Sequence, residues 1–129
     1  MPKVEVKIYK EEDGTAPFLD WLLAQEAKVQ DKCTEQIEHL GMLGIEALTG
    51  RRVIAKLRDG IYEIRFKHFR VNHRVLFFWD SLKVVMLSHG LEKEAGVPEK
   101  DIELALVRKT KYFENRSLHT YREEEENGE

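Results

Sequence analysis

Apolar and polar residues alternate from Val4 to Tyr9. Val4, Val6 and Ile8 fall on one side and Glu5, Lys7 and Tyr9 on the other, which predicts a strand with one buried face. A turn over 11–14 follows. Pro17 suits the first turn of a helix, where the missing amide hydrogen would go unused. Phe18, Leu19, Trp21, Leu22 and Leu23 make that short helix apolar. A second helix carries Val29, Cys33, Ile37 and Leu40 at helical spacing, and Gly41 is expected to stop it. The stretch 44–50 reads as a loop with a small apolar patch at Ile45 and Leu48.

Three strand-like segments come next. The first, 52–57, ends at Asp59-Gly60, a dipeptide that closes hairpins. In 61–67 the side chains of Tyr62, Ile64 and Phe66 point one way and Glu63, Arg65 and Lys67 the other. The third, 74–79, is apolar on both faces, as a central strand is. Asp80-Ser81 turns the chain into another apolar run, 82–88, which Gly90 is expected to break. Pro98 opens a last helix whose inward stripe is Ile102, Ala105, Leu106 and Tyr112 or Phe113. The coarse order β-α-α-β-β-β-α predicts an α+β fold, a small antiparallel sheet with helices packed on one face. One domain over 1–114 accounts for it. The acidic stretch 115–129, where the pattern fades, is expected to be a disordered tail.

Length agrees, since 129 residues suffice for one core and not for two. No run approaches the ~18 apolar residues of a membrane span, and the N-terminus lacks the apolar centre of a secretory signal. No membrane association is expected, and a cytoplasmic protein is. Charge changes the picture more. The chain is −3 overall, yet 51–74 holds eight basic residues against Asp59 and Glu63 alone. That local excess of six leaves a net −9 on the rest, and a positive patch on an acidic protein is the footprint of a polyanion site.

Motifs narrow the chemistry. GxxxxGK[ST], GxGxxG and HExxH are absent. Ser81, Ser88 and Ser117 lack a Gly-x-Ser-x-Gly elbow. Cys33, the single cysteine, sits among apolar helical positions as a buried thiol would. His68 and His73 are flanked by arginines that repel a metal ion, so neither metal nor other cofactor is expected. Metal-free chemistry on a phosphate ester remains, and RNA supplies its own nucleophile in the 2′-hydroxyl. Arginine forks bind phosphate oxygens and stay charged. A histidine among arginines has its pKa lowered toward a base's working range. Arg65 and Lys67 share a strand face with Glu63, and strand pairing would bring Arg74 beside Arg65. Lys56, Arg58, Lys67, His68 and Arg70 are the candidate RNA contacts. The duller alternatives are an ion-paired sheet face for Arg65 and Lys67, an ordinary strand histidine at His73, and core roles for Trp21, Phe77 and Trp79.

The segments LRDGIYEIR (57–65), HRVLFF (73–78), LSHGL (87–91), Lys93, Pro98 and DIELA (101–105) resemble the phage-derived, HigB-like branch of the RelE/ParE toxin superfamily. The likeness runs from residue 4 to about 113. It implies a RelE-like fold and the toxin of a type II toxin–antitoxin system, an endoribonuclease cutting mRNA on the ribosome. A helix-turn-helix antitoxin would silence it, and homo-oligomers or a toxin–antitoxin heterotetramer fit the same class. By this resemblance Arg65 and Arg74 bind phosphate and stabilise the transition state, and Lys93 adds charge. The general base stays open between His73, His68 and Tyr62, with His73 standing where the family has tyrosine. Leu91 replaces the usual phenylalanine, and Lys93 lies between Glu92 and Glu94. The ParE side of the superfamily implies an alternative, a non-enzymatic toxin that blocks a protein target such as gyrase.

Overall fold

The computed structural model, which describes residues 3–93 and 95–123, is an α+β fold on one five-stranded sheet. Its elements are β1 (Glu5–Ile8), α1 (Pro17–Leu23), α2 (Ala27–Leu43), α3 (Ile45–Gly50), β2 (Ile54–Arg58), β3 (Ile61–His68), β4 (Val71–Ser81), β5 (Val84–Glu92) and α4 (Glu99–Glu114). The strands lie in the order β1-β5-β4-β3-β2. β2 to β5 form an antiparallel meander, and β1 pairs in parallel with β5, so the sheet is mixed.

β4 explains the two-sided apolar run at 75–78. Val75, Leu76, Phe77 and Phe78 are all fully buried, because the sheet is covered on both sides. Val75 and Phe77 join Ile64, Val85, Phe18, Leu40 and Leu48 under α1, α2 and α3. Leu76 and Phe78 join Ile61, Met86, Ile102, Ala105 and Tyr112 under α4. Helices packed on one face was the expectation. The stripe Ile102–Ala105–Tyr112 instead finds its apolar partners on the opposite side.

Other boundaries move for local reasons. Residues 45–50 are helical rather than loop, which carries Leu48 into the core. α2 runs through Gly41, which serves close approach instead of termination. Its carbonyl accepts the amides of Lys3 (2.7 Å) and Val4 (3.0 Å), and a Cβ there would sit 3.3 Å from the Val4 carbonyl oxygen. Gly44, at φ 89°, ends the helix. The apolar run after Ser81 is a fifth strand, and Gly90 lies within it, paired with Val75. Trp21 from α1 lies flat against that glycine, with ring atoms 2.3 Å from where a Cβ would stand.

The segment from residue 115 packs before it reaches its acidic end. Thr120 bridges Tyr9, the Tyr121 amide donates to the Ile8 carbonyl (2.8 Å), and His119 stacks on Tyr9 at 5.2 Å. This shields the outer edge of β1 from strand addition. The acidic run from 124 onward lies outside the described residues. Among those described, no helix is long and apolar enough to cross a membrane.

Candidate functional site

Register decides which charges meet. Arg65 on β3 stands directly opposite Arg74 on β4, and two like charges so placed repel. Glu63, two residues before Arg65 and diagonal to Arg74, resolves the repulsion. Arg74 Nη1 donates to Glu63 Oε1 at 2.7 Å, and Arg65 Nη1 lies 3.7 Å from Glu63 Oε2. All three project from the face that α4 covers, one step along the strands beyond its apolar contacts Ile61, Leu76 and Phe78.

The two arginines are held differently. Arg74 and Glu63 are almost sealed, with side chains 10% and 4% exposed, and Arg74 Nε also donates to the Lys93 carbonyl at 3.4 Å. Arg65 remains 41% exposed, and its Nε donates to the Arg52 carbonyl at 3.0 Å. A guanidinium whose orientation is set by fixed acceptors needs little reorganisation to meet an anion. Lys67 follows on the same face and is exposed. Lys93 lines an open cleft of about 470 Å³ with Val71, Asn72, Glu92 and Ala95, at the same end of the sheet. Glu94 lies outside the described residues. Arg70 is exposed at the tip of the β3–β4 hairpin.

The histidines stand elsewhere. His73 pairs with Phe66 across the strands and so faces α1 and α2, away from both arginines. It is 3% exposed, stacked on Phe66 at 5.3 Å with Trp21 at its edge. Its pKa is lowered as expected, but burial is the main cause; the His68 and Lys32 charges add to it, and Glu92 and Glu26 oppose it. His68 is buried on that same side, 3.7 Å from Glu26. Tyr62, half-buried, stacks on Phe77 against the core on the α1–α3 side, and Lys56 pairs with Tyr62 and shares its side. Arg58 is bound by Asp59 and Glu99, with Glu103 at 4.0 Å, and ties β2 to α4. The structure therefore brings together Arg65, Arg74 and Lys67, with Lys93 and Arg70 near one end. It does not add His73, His68, Tyr62, Lys56 or Arg58 to that group.

Two features were not visible from spacing alone. Glu63 is the carboxylate that holds the cluster; its signal was its place as a lone acid in the basic strand, two residues from Arg65. The second is His89. Its Nδ1 lies 2.8 Å from Ser88 Oγ and its Nε2 3.2 Å from Asp101 Oδ1. Arg108 donates to Ser88 Oγ at 3.5 Å and to Glu11 at 2.9 Å. Burial first, and the Arg108 charge second, lower the His89 pKa and favour the neutral ring. In the tautomer that donates Nε2–H to Asp101, Nδ1 accepts the Ser88 hydroxyl hydrogen. Ser88 has no exposed surface, so this serine–histidine–aspartate chain latches α4 to β5 instead of meeting a substrate.

No curated protein matches the chain. The family model described as phage-derived, Gp49-like protein matches residues 20–110, a span that includes α2, the whole meander from β2 to β5 and most of α4. The chain belongs to this Gp49-like family, a toxin–antitoxin-associated family of RelE-like type.

Proposed function

We propose that this chain is the toxin of a type II toxin–antitoxin pair, of the HigB-like kind, and cleaves mRNA on the ribosome without a metal. The observation that carries this is the Arg65–Glu63–Arg74 cluster just beyond the apolar contacts of α4, in which Arg65 alone stays exposed. Arg65, with surface to spare, takes the scissile phosphate through its planar fork. Arg74, anchored by Glu63 and the Lys93 carbonyl, adds fixed positive charge where the phosphorane develops.

The histidines and Tyr62 face the other side, and Glu63, 4% exposed and bonded to Arg74, anchors the arginines without reaching the substrate. The 2′-oxygen attacks phosphorus as its proton passes to solvent water. The bond to the 5′-oxygen breaks and that oxygen takes a proton from water, leaving a 2′,3′-cyclic phosphate and a 5′-hydroxyl end. A helix-turn-helix antitoxin would silence this activity in the cytoplasm.

The test is induction of wild type, Arg65→Ala and Arg65→Lys, with primer-extension mapping of a translated reporter. Arg65 is exposed enough for its variants to fold. Loss of one preorganised donor should cut cleavage about 10²–10³-fold in Arg65→Ala, with Arg65→Lys intermediate. Growth arrest with intact message would replace the nuclease by a toxin that blocks a protein target such as gyrase.

A further inference from the structure

The hairpin joining β3 to β4 turns through Phe69 and Arg70, and both residues have left-handed backbones, φ 51° and 71°. Two-residue turns of this shape favour Asn-Gly, because side chains with a Cβ are disfavoured there. The chain places an aromatic and an arginine instead, and the core gains little from either. Phe69 is 84% exposed, and among the described residues its one ring contact is with His68, centroids 4.4 Å apart and tilted 49°. Strain without a packing return is the mark of a position held for contact with something else.

What surrounds the ring defines the partner. Lys67 and Arg70 flank it in sequence, and both are exposed. Lys32 of α2 reaches the same end of the sheet, with Nζ 3.1 Å from the Lys67 carbonyl. The cleft lined by Val71, Asn72 and Lys93 opens on the next residues of the hairpin. Among the described residues, nearby acids are Glu26, set against His68, and Glu92, set toward His73 and the cleft. An exposed aromatic between cations matches single-stranded nucleic acid, whose bases stack on the ring while its phosphates meet the charges.

We propose that Phe69 is a base-stacking platform for single-stranded RNA, with Lys67 and Arg70 holding the flanking phosphates. This rests on the nuclease assignment above and extends it, placing a nucleotide next to the scissile one on the hairpin tip. Arg65 and Lys67 lie on one strand face, so a strand of RNA can run from the cluster to the tip.

The probe is a short single-stranded RNA with 2′-O-methyl riboses, which cannot be cleaved, and one 2-aminopurine whose fluorescence falls on stacking. Titrations at low salt compare wild type, Phe69→Ala, Phe69→Tyr and Phe69→Asn. Wild type and Phe69→Tyr should bind and quench. Phe69→Ala should bind about 5- to 100-fold more weakly, the range for loss of one stacked base, without quenching. Phe69→Asn should lose the same affinity while melting at or above the wild-type temperature, because asparagine tolerates this backbone. That combination separates a functional loss from a folding loss.

Wild-type affinity in Phe69→Ala would overturn the stacking role, as would a wild type that fails to bind the oligonucleotide, and either would turn the exposed ring toward a protein partner. Message cleavage that depends on Arg65 and is untouched in Phe69→Ala would remove the platform and leave the nuclease standing.

Discussion

Arg74→Met should destabilise the protein by about 3 kcal/mol or more. Glu63 is 4% exposed and its shortest contact is the 2.7 Å bond from Arg74. Removing the guanidinium leaves a desolvated carboxylate facing only Arg65, 3.7 Å away and 41% exposed. Breaking one side of a buried ion pair costs about 3–5 kcal/mol, and the surviving Arg65 contact sets the value at the low end. In a domain of this size that corresponds to roughly 10 °C in Tm. Glu63→Gln/Arg74→Met removes both charges and should cost less than the two single changes added together, by about 1 kcal/mol or more.

Urea unfolding followed by the fluorescence of Trp21 and Trp79 measures all four proteins. A loss below about 1 kcal/mol in Arg74→Met, or strict additivity in the double variant, would refute the idea that Glu63 and Arg74 hold each other. The result also governs how activity data are read. Inactivity of an Arg74 variant counts toward catalysis only at temperatures where that variant is folded.

Gly90→Ala would drive a Cβ into the Trp21 ring, which lies 2.3 Å from that point. A destabilisation of about 1–3 kcal/mol is expected, partly relieved in a Trp21→Leu background, and thermal melts of the three variants check it. Burial pushes the Cys33 thiol up to about 12, so Ellman's reagent at pH 8 should react with it only as fast as the protein opens, and rapid labelling of the native protein would contradict its buried position. His73 and His89 both have folded pKa values below the ordinary 6.5. The unfolded chain therefore binds protons first as pH falls, so their contribution is complete above about pH 6.5 and is lost as pH drops through the folded values. Tm should fall between pH 7.5 and 5.5 in wild type and fall less in His73→Phe; equal slopes would mean that His73 does not contribute.

Much of the fold was legible because burial writes itself into periodicity. The alternation at 61–67 named the faces of β3, and the two-sided apolar run at 75–78 named a central strand. The Asp59-Gly60 turn appears as read, with both residues at positive φ. Gly41 and Gly90 misled, because a glycine that ends an element and one that admits a close neighbour look the same in a sequence. Gly41 admits the chain before β1, and Gly90 admits Trp21. The helix over 45–50 was hidden by its length, too short for a period to declare itself.

The candidate site divides the same way. Sequence alone determined that Arg65 and Lys67 share a face with Glu63, that the positive charge is concentrated on this stretch, and that the fold is α+β. These follow from local spacing and composition. Tertiary structure decided the rest. Pairing register set Arg65 against Arg74 and made Glu63 their common anchor. It turned His73 under Trp21 and Phe66, one residue from Arg74 in the chain and on the opposite face of the sheet. α4 docked across one end of the other face and left the arginines at its margin. Neighbours on a strand point to opposite sides, and which side is sealed depends on elements far away in the chain.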